Sequence, residues 1–147
     1  MSERPSADHR PRDVRGWAEA IYQAFRSQAS QPLALADQAV RDYPDDGNLL
    51  QLAAIAALVE QRPERCLRYL KRYGKRYYLD KQHELLRALA LAQQGRIPIA
   101  YGILKHQHLD RYYSAWQWFP SGPPLQDWFY REFTRITREG GAPRKKA

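Results

Sequence analysis

Residues 88–104 read Ala88-Leu89-Ala90-Leu91-Ala92-Gln93-Gln94-Gly95-Arg96-Ile97-Pro98-Ile99-Ala100-Tyr101-Gly102-Ile103-Leu104, and this stretch decides the fold. An alanine-rich apolar run ends at a glycine, and a proline-opened apolar run follows at once. That is the pattern of two helices joined by a tight turn. It recurs 34 positions earlier, in residues 54–70: Ala54 matches Ala88, Gln61 matches Gly95, Pro63 matches Ile97, Cys66 matches Ala100 and Leu70 matches Leu104. A helical hairpin needs a small residue where its helices cross, a second small residue facing it, and a larger apolar residue one turn on. The pairs Ala54/Cys66 and Ala88/Ala100 fill the small positions, and Leu70 and Leu104 fill the large one.

Working outward, helical signals dominate and strand signals are nearly absent. A first helix is expected over Asp13–Ser27, with Trp17, Ala20, Ile21, Ala24 and Phe25 on one stripe. Pro32 opens a second, with Leu33, Ala36, Ala39 and Val40 inward, ended by Tyr43-Pro44. Asp45-Asp46-Gly47-Asn48 is a turn, with Asn48 as the helix-start residue. Leu49, Leu52, Ala53, Ile55, Ala56 and Val59 make a third helix that is apolar over a wide arc and so sandwiched. Pro63 opens a fourth and Gly74 closes it. Asp80 caps a fifth running to about Gln94, and Pro98 starts a sixth with Ala100, Tyr101, Ile103 and Leu104 inward. A short helix over Asp110–Phe119 and a last amphipathic helix with Leu125, Trp128, Phe129, Phe133 and Ile136 complete the series. The expected organisation is a disordered basic arm at 1–12, one all-α domain at 13–138 and a disordered basic tail at 139–147.

A 34-residue period of helix–turn–helix units is that of the tetratricopeptide repeat. The chain resembles a tetratricopeptide-like array of about three hairpins over roughly residues 14–106, with a C-terminal capping helix. A first unit over Trp17–Tyr43 places Ala36 and Val40 comparably, although Ala36 and Cys66 are 30 apart. The family's tryptophan, tyrosine and terminal proline are mostly missing from units two and three. The resemblance implies binding of a peptide or a partner's helix in a groove lined by the first helix of each hairpin. By family position the groove residues are Asn48, Gln51, Ile55 and Leu58 in unit two, and Gln82, Leu85, Leu89 and Gln93 in unit three. The lysine–asparagine set with which one subfamily clamps acidic chaperone tails is missing. A groove with Ile55, Leu58, Leu85 and Leu89 favours an apolar or amphipathic ligand. The competing reading is that the chain's own C-terminal helix covers these residues.

The chain has 147 residues, with 24 Lys+Arg against 16 Asp+Glu and a formal net charge of +8. This length fits one domain with a single core. Its charge is uneven. Residues 37–60 hold Asp37, Asp42, Asp45, Asp46 and Glu60 against Arg41, a balance of −4. Residues 62–76 hold Arg62, Arg65, Arg68, Lys71, Arg72, Lys75 and Arg76 against Glu64, a balance of +6. The segment from Arg65 to Tyr78 interleaves these cations with Tyr69, Tyr73, Tyr77 and Tyr78. Its basic patch (Arg65, Arg68, Lys71, Arg72, Lys75, Arg76) suits an acidic protein partner. The alternative partner is a nucleic acid, whose phosphates need such charge and whose bases stack on tyrosine.

Nine aromatics fall between Tyr112 and Phe133. Trp128, Phe129 and Phe133 suit a cap over the last hairpin, whereas Trp118 and Phe119, beside a proline-rich loop, suit an exposed adhesive surface. His106 and His108 point apart on a helix, and with His83 they lack a matched carboxylate or thiolate, so no metal site is expected. The single cysteine, Cys66, sits at a helix crossing and excludes an internal disulfide. No nucleophile elbow, phosphate-cradling glycine loop or dinucleotide fingerprint occurs, so neither catalysis nor a cofactor is expected. No membrane-length apolar run and no secretory leader is present, and the expected setting is cytoplasmic. The sequence reading is thus a non-catalytic protein-interaction module, an adaptor or chaperone-like protein, with nucleic-acid binding as its alternative.

Overall fold

The structure, a computed structural model, describes residues 13–27, 31–107 and 123–140. The expected arm at 1–12, the short helix at 110–119, Trp118, Phe119 and residues 141–147 lie outside the described residues, as does the side chain of Trp128. Seven helices are described: α1 Val14–Arg26, α2 Pro32–Asp42, α3 Gly47–Val59, α4 Pro63–Gly74, α5 Lys81–Gln93, α6 Ile97–His106 and α7 Pro123–Gly140. No strand occurs among the described residues. Helices α1–α2, α3–α4 and α5–α6 pair as hairpins, and α1, α3 and α5 pack in succession. The fold is an all-α stack of three helical hairpins followed by α7.

The helix starts alternate in kind. The first helix of each hairpin is capped by an aspartate. Asp13 Oδ1 accepts the Gly16 N–H at 2.7 Å, Asp46 Oδ1 the Leu49 N–H at 2.9 Å, and Asp80 Oδ1 the Gln82 N–H at 3.0 Å. Each such cap is worth about 1 kcal/mol. The second helix of each hairpin has no side-chain cap from its own N-cap residue. It carries Pro32, Pro63 or Pro98 in its first turn instead. There the missing N–H costs nothing and the fixed φ is already helical. The cap of α3 is therefore Asp46, two residues earlier than Asn48, because the Asp46 backbone is still extended while Gly47 has begun the helix.

The turns inside hairpins two and three share one geometry. Gln61 and Gly95, 34 positions apart in sequence, take the two positive φ values among the described residues, 59° and 84°. In each, the next N–H reaches back five residues: Arg62 to the Ala57 carbonyl at 2.7 Å, and Arg96 to the Leu91 carbonyl at 2.9 Å. This left-handed closure satisfies carbonyls that the ending helix leaves open. Gly74 works differently. It is the last helical residue and is followed by Lys75 in ordinary right-handed geometry. Its missing Cβ makes room for Leu79, whose Cδ1 lies 3.3 Å from where a Cβ would stand.

The core is continuous through the stack. Helix α3 buries nine of its thirteen residues because it touches α1, α2, α4 and α5. Its alanines at 53, 54, 56 and 57 let those neighbours approach closely. The crossing residues Ala54, Cys66, Ala88 and Ala100 are all fully buried. In α6 only Ala100 and Leu104 are buried. Tyr101 and Ile103 are half-buried at the rim and Ile99 is 48 % exposed, so the inward face is narrower than expected. Helix α7 runs through Glu139 and Gly140, two residues assigned above to the tail.

Candidate functional site

The proposed groove residues do not line an open groove. Ile55, Leu58, Leu85 and Leu89 are fully buried in the core. The reason is the number of neighbours: α3 is enclosed by four helices, and α5 packs against α3, α4, α6 and α7. Gln51 is half-buried and pairs through Oε1 with His83 Nε2 at 2.8 Å. Gln93 donates from Nε2 to the Leu58 carbonyl at 2.7 Å. Gln82 is half-buried and Asn48 exposed. Helix α7 packs chiefly on α6 and also reaches α5 and α1, with Phe129, Phe133 and Ile136 fully buried. It thus sits mainly on the second helix of hairpin three and also touches the first helices of hairpins one and three.

Four of the five carboxylates of segment 37–60 have partners within the chain, half-buried or at its surface. Asp46 caps α3. Glu60 Oε2 accepts the Leu33 N–H at 2.8 Å, capping α2 from the turn of the next hairpin. Asp37 on α2 meets Arg65 on α4 at 2.5 Å and accepts the Tyr69 hydroxyl proton. Asp45 meets Arg76 at 2.9 Å, and its carbonyl accepts the Tyr77 hydroxyl proton. Arg65 therefore belongs to a half-buried internal pair and is not part of a free basic surface. Asp37 holds its guanidinium firmly protonated.

What remains is basic. Arg68, Lys71, Arg72, Lys75 and Arg76 are exposed along α4 and its C-terminal turn. Arg41, Arg62, Arg68, Lys71, Arg72 and Lys75 have no carboxylate within ion-pair distance among the described residues. Two concave spaces open between α2, the α2–α3 turn and α4. The larger, about 520 Å³, is lined by Pro44, Asp45, Leu50, Arg72, Lys75 and Arg76. The smaller, about 220 Å³, is lined by Asp37, Val40, Arg41, Pro44, Arg65, Tyr69 and Arg72. They share Pro44 and Arg72 and form one basic trough. With Asp37 and Asp45 already neutralised, Arg41, Arg72 and Lys75 face it without a counter-charge from the described chain. Arg72 is held in place: its guanidinium carbon is 5.7 Å from the Tyr69 ring centre and its Nη2 3.5 Å from the Pro44 carbonyl. Such a trough concentrates anions.

Reading the sequence found the α4 side of this trough and missed the α2 side, namely Arg41, Pro44 and the role of Asp45. A signal was present. Several contacts joining successive hairpins fall at sequence separations of 28 or 32, close to the repeat period: Asp37–Arg65, Pro44–Arg72, Asp37–Tyr69, Asp45–Tyr77 and Gln51–His83. Sliding the −4 block onto the +6 block by about one repeat pairs Asp37 with Arg65 and Asp45 with Arg76.

The remaining candidates have structural roles. His83 is 2 % exposed. Its Nδ1 accepts the Asp80 N–H at 3.2 Å, and Tyr73 packs on the ring at a tilt of 33°, 4.2 Å between centres. Burial pushes its pKa below the usual histidine value, against the opposing pull of the Asp80 and Glu84 carboxylates. Burial likewise pushes the Cys66 thiol far up, so it stays protonated and packs as a small apolar group. Among the described residues no three His, Cys, Asp or Glu side chains gather to hold a metal ion, and no helix is long and apolar enough to cross a membrane. The fold class is that of a stacked helical-hairpin protein. Comparison with protein-family models, curated proteins and solved structures gave no match.

Proposed function

We propose that this chain is a non-catalytic protein-interaction module, built as a tetratricopeptide-like array, that docks an acidic segment of a partner protein. The docking place is the trough between α2 and α4, since the apolar residues named by family position, Ile55, Leu58, Leu85 and Leu89, are buried in the core. One observation carries the reading. Arg41, Arg72 and Lys75 line a concave space and have no carboxylate partner among the described residues, while the neighbouring Arg65 and Arg76 are paired with Asp37 and Asp45. The concavity and the flanking Asp42, Asp45 and Asp46 favour a short acidic segment over a long polyanion. The test is capture of partners by the tagged full-length chain and by an Arg72→Glu/Lys75→Glu variant. Loss of an acidic partner on charge reversal supports the reading, and undiminished capture refutes it.

A second reading has its own observation. Tyr78 is 87 % exposed, next in line to Lys75 and Arg76. An open ring beside cations is the arrangement on which single-stranded nucleic acid stacks. A labelled oligonucleotide at about 50 mM salt tests it, because phosphate contacts are strongest at low salt. Absence of binding there ends that reading.

A further inference from the structure

The geometry points to the form of the ligand: a segment presenting two acidic side chains on one face, both held by Arg72. This rests on the acidic-segment reading above and adds the spacing that the segment must have.

Arg72 is the charged residue common to both cavities, which also share Pro44. Each cavity has one further cation without a carboxylate partner among the described residues, Lys75 in the larger and Arg41 in the smaller. The other cations in the lining, Arg76 and Arg65, are matched by Asp45 and Asp37. The trough therefore offers two anion positions, each between a private cation and the shared guanidinium. A guanidinium carries five N–H donors in a rigid planar fork, so two carboxylates can occupy different edges of it at once. Lysine, a point charge on a flexible stem, does not impose that arrangement. Arg72 is also set before any ligand arrives. Tyr69 lies under its guanidinium, and that ring is fixed by Asp37 at its hydroxyl and flanked by Arg65 at 5.9 Å. The ordering cost of one long side chain is thereby reduced on binding.

Two carboxylates on neighbouring edges of one guanidinium must come from side chains that start close together. Residues four apart on a helix meet this, with Cβ atoms about 5–6 Å apart. Residues two apart on an extended strand, about 7 Å apart, meet it as well. Adjacent residues on a strand point to opposite faces and do not.

The experiment uses the full-length protein and a fluorescein-labelled, alanine-rich helical peptide with two glutamates four positions apart. Single Glu→Gln peptides, a double Glu→Gln peptide and an oligothymidylate serve as comparators, all read by fluorescence anisotropy. The paired-acid peptide is expected to bind about tenfold tighter than either single-acid peptide, as a lost charge-assisted hydrogen bond implies. Arg72→Gln is expected to abolish that difference. Arg68→Gln, exposed and lining neither cavity, retains it. Circular dichroism confirms that both variants fold, and Arg41→Gln with Lys75→Gln provides a second route if Arg72→Gln does not. Equal binding of single- and paired-acid peptides overturns the two-position inference and leaves the acidic-segment reading standing. Binding of oligothymidylate with no binding of any acidic peptide overturns both. Retention of the paired-acid preference in Arg72→Gln overturns the assignment of Arg72 as the shared cation.

Discussion

Replacing Gln61 by glycine should stabilise the protein. Gln61 holds a left-handed φ of 59° at the turn of hairpin two, where hairpin three has Gly95 at 84°. A side chain in that conformation costs about 1–2 kcal/mol through contact of Cβ with the carbonyl oxygen. Glycine removes this cost and returns about 0.5–1 kcal/mol as unfolded-state entropy. The net gain is about 0.5–1 kcal/mol, a rise in Tm of about 2–5 °C for a domain of this size. Gln61 is exposed, so no packing is lost. The reverse change, Gly95→Gln, should destabilise by a similar amount. No atom lies within 4 Å of a Cβ built at Gly95, so its cost is backbone strain alone. Gln61→Ala keeps the strain and should be nearly silent. Thermal melts followed by circular dichroism read all three variants. A neutral or destabilising Gln61→Gly, or a silent Gly95→Gln, would refute the shared turn geometry and with it the structural repeat at 34 residues.

Three further outcomes are expected. Phe133→Ala empties a fully buried site under α7 and should cost about 3–5 kcal/mol in urea melts; a loss below 1 kcal/mol would mean α7 is not seated in the core. Gly140→Ala places a Cβ 2.3 Å from Tyr101 Cβ, so amides in the last turn of α7 should exchange faster in hydrogen–deuterium exchange. Unchanged exchange would refute the close approach of α7 to α6. Stability should also fall with acid. His83 has a depressed pKa, so the fold prefers the neutral ring, whose protonation is resisted by burial and aided by Asp80 and Glu84. Its contribution is intact above the unfolded value of 6.5 and is lost as pH falls below it through the folded value. Urea midpoints between pH 7.5 and 5 should drop, and His83→Gln should flatten that dependence.

Much of the fold was readable because it rests on local chemistry. Asp80 as a cap, Pro32, Pro63 and Pro98 as openers and Gly95 as a turn each act within a few residues, and the helices lie where these signals put them. The wide apolar arc of α3 correctly marked a sandwiched helix. The site was less legible. Whether Ile55 or Leu89 faces solvent depends on how many helices surround its own, and a 3.6-residue pattern does not count neighbours. Likewise, the −4 and +6 blocks looked like a dipolar surface. Asp37 and Asp45 are paired with arginines of the next hairpin, and Asp46 and Glu60 are taken up as helix caps, which leaves a basic trough. The Gln61 turn was obscured because glutamine performs there what glycine performs at position 95.

The central claim is that the open docking surface is the trough and not the apolar face under α7. Amide chemical-shift mapping of the labelled full-length chain, titrated with the paired-glutamate peptide, tests it most directly. The account predicts shifts concentrated at residues 41–45 and 68–76, with the amides around Ile55, Leu89 and Phe133 unmoved. Shifts centred on α1, α5 and α7, with the trough silent, would contradict it.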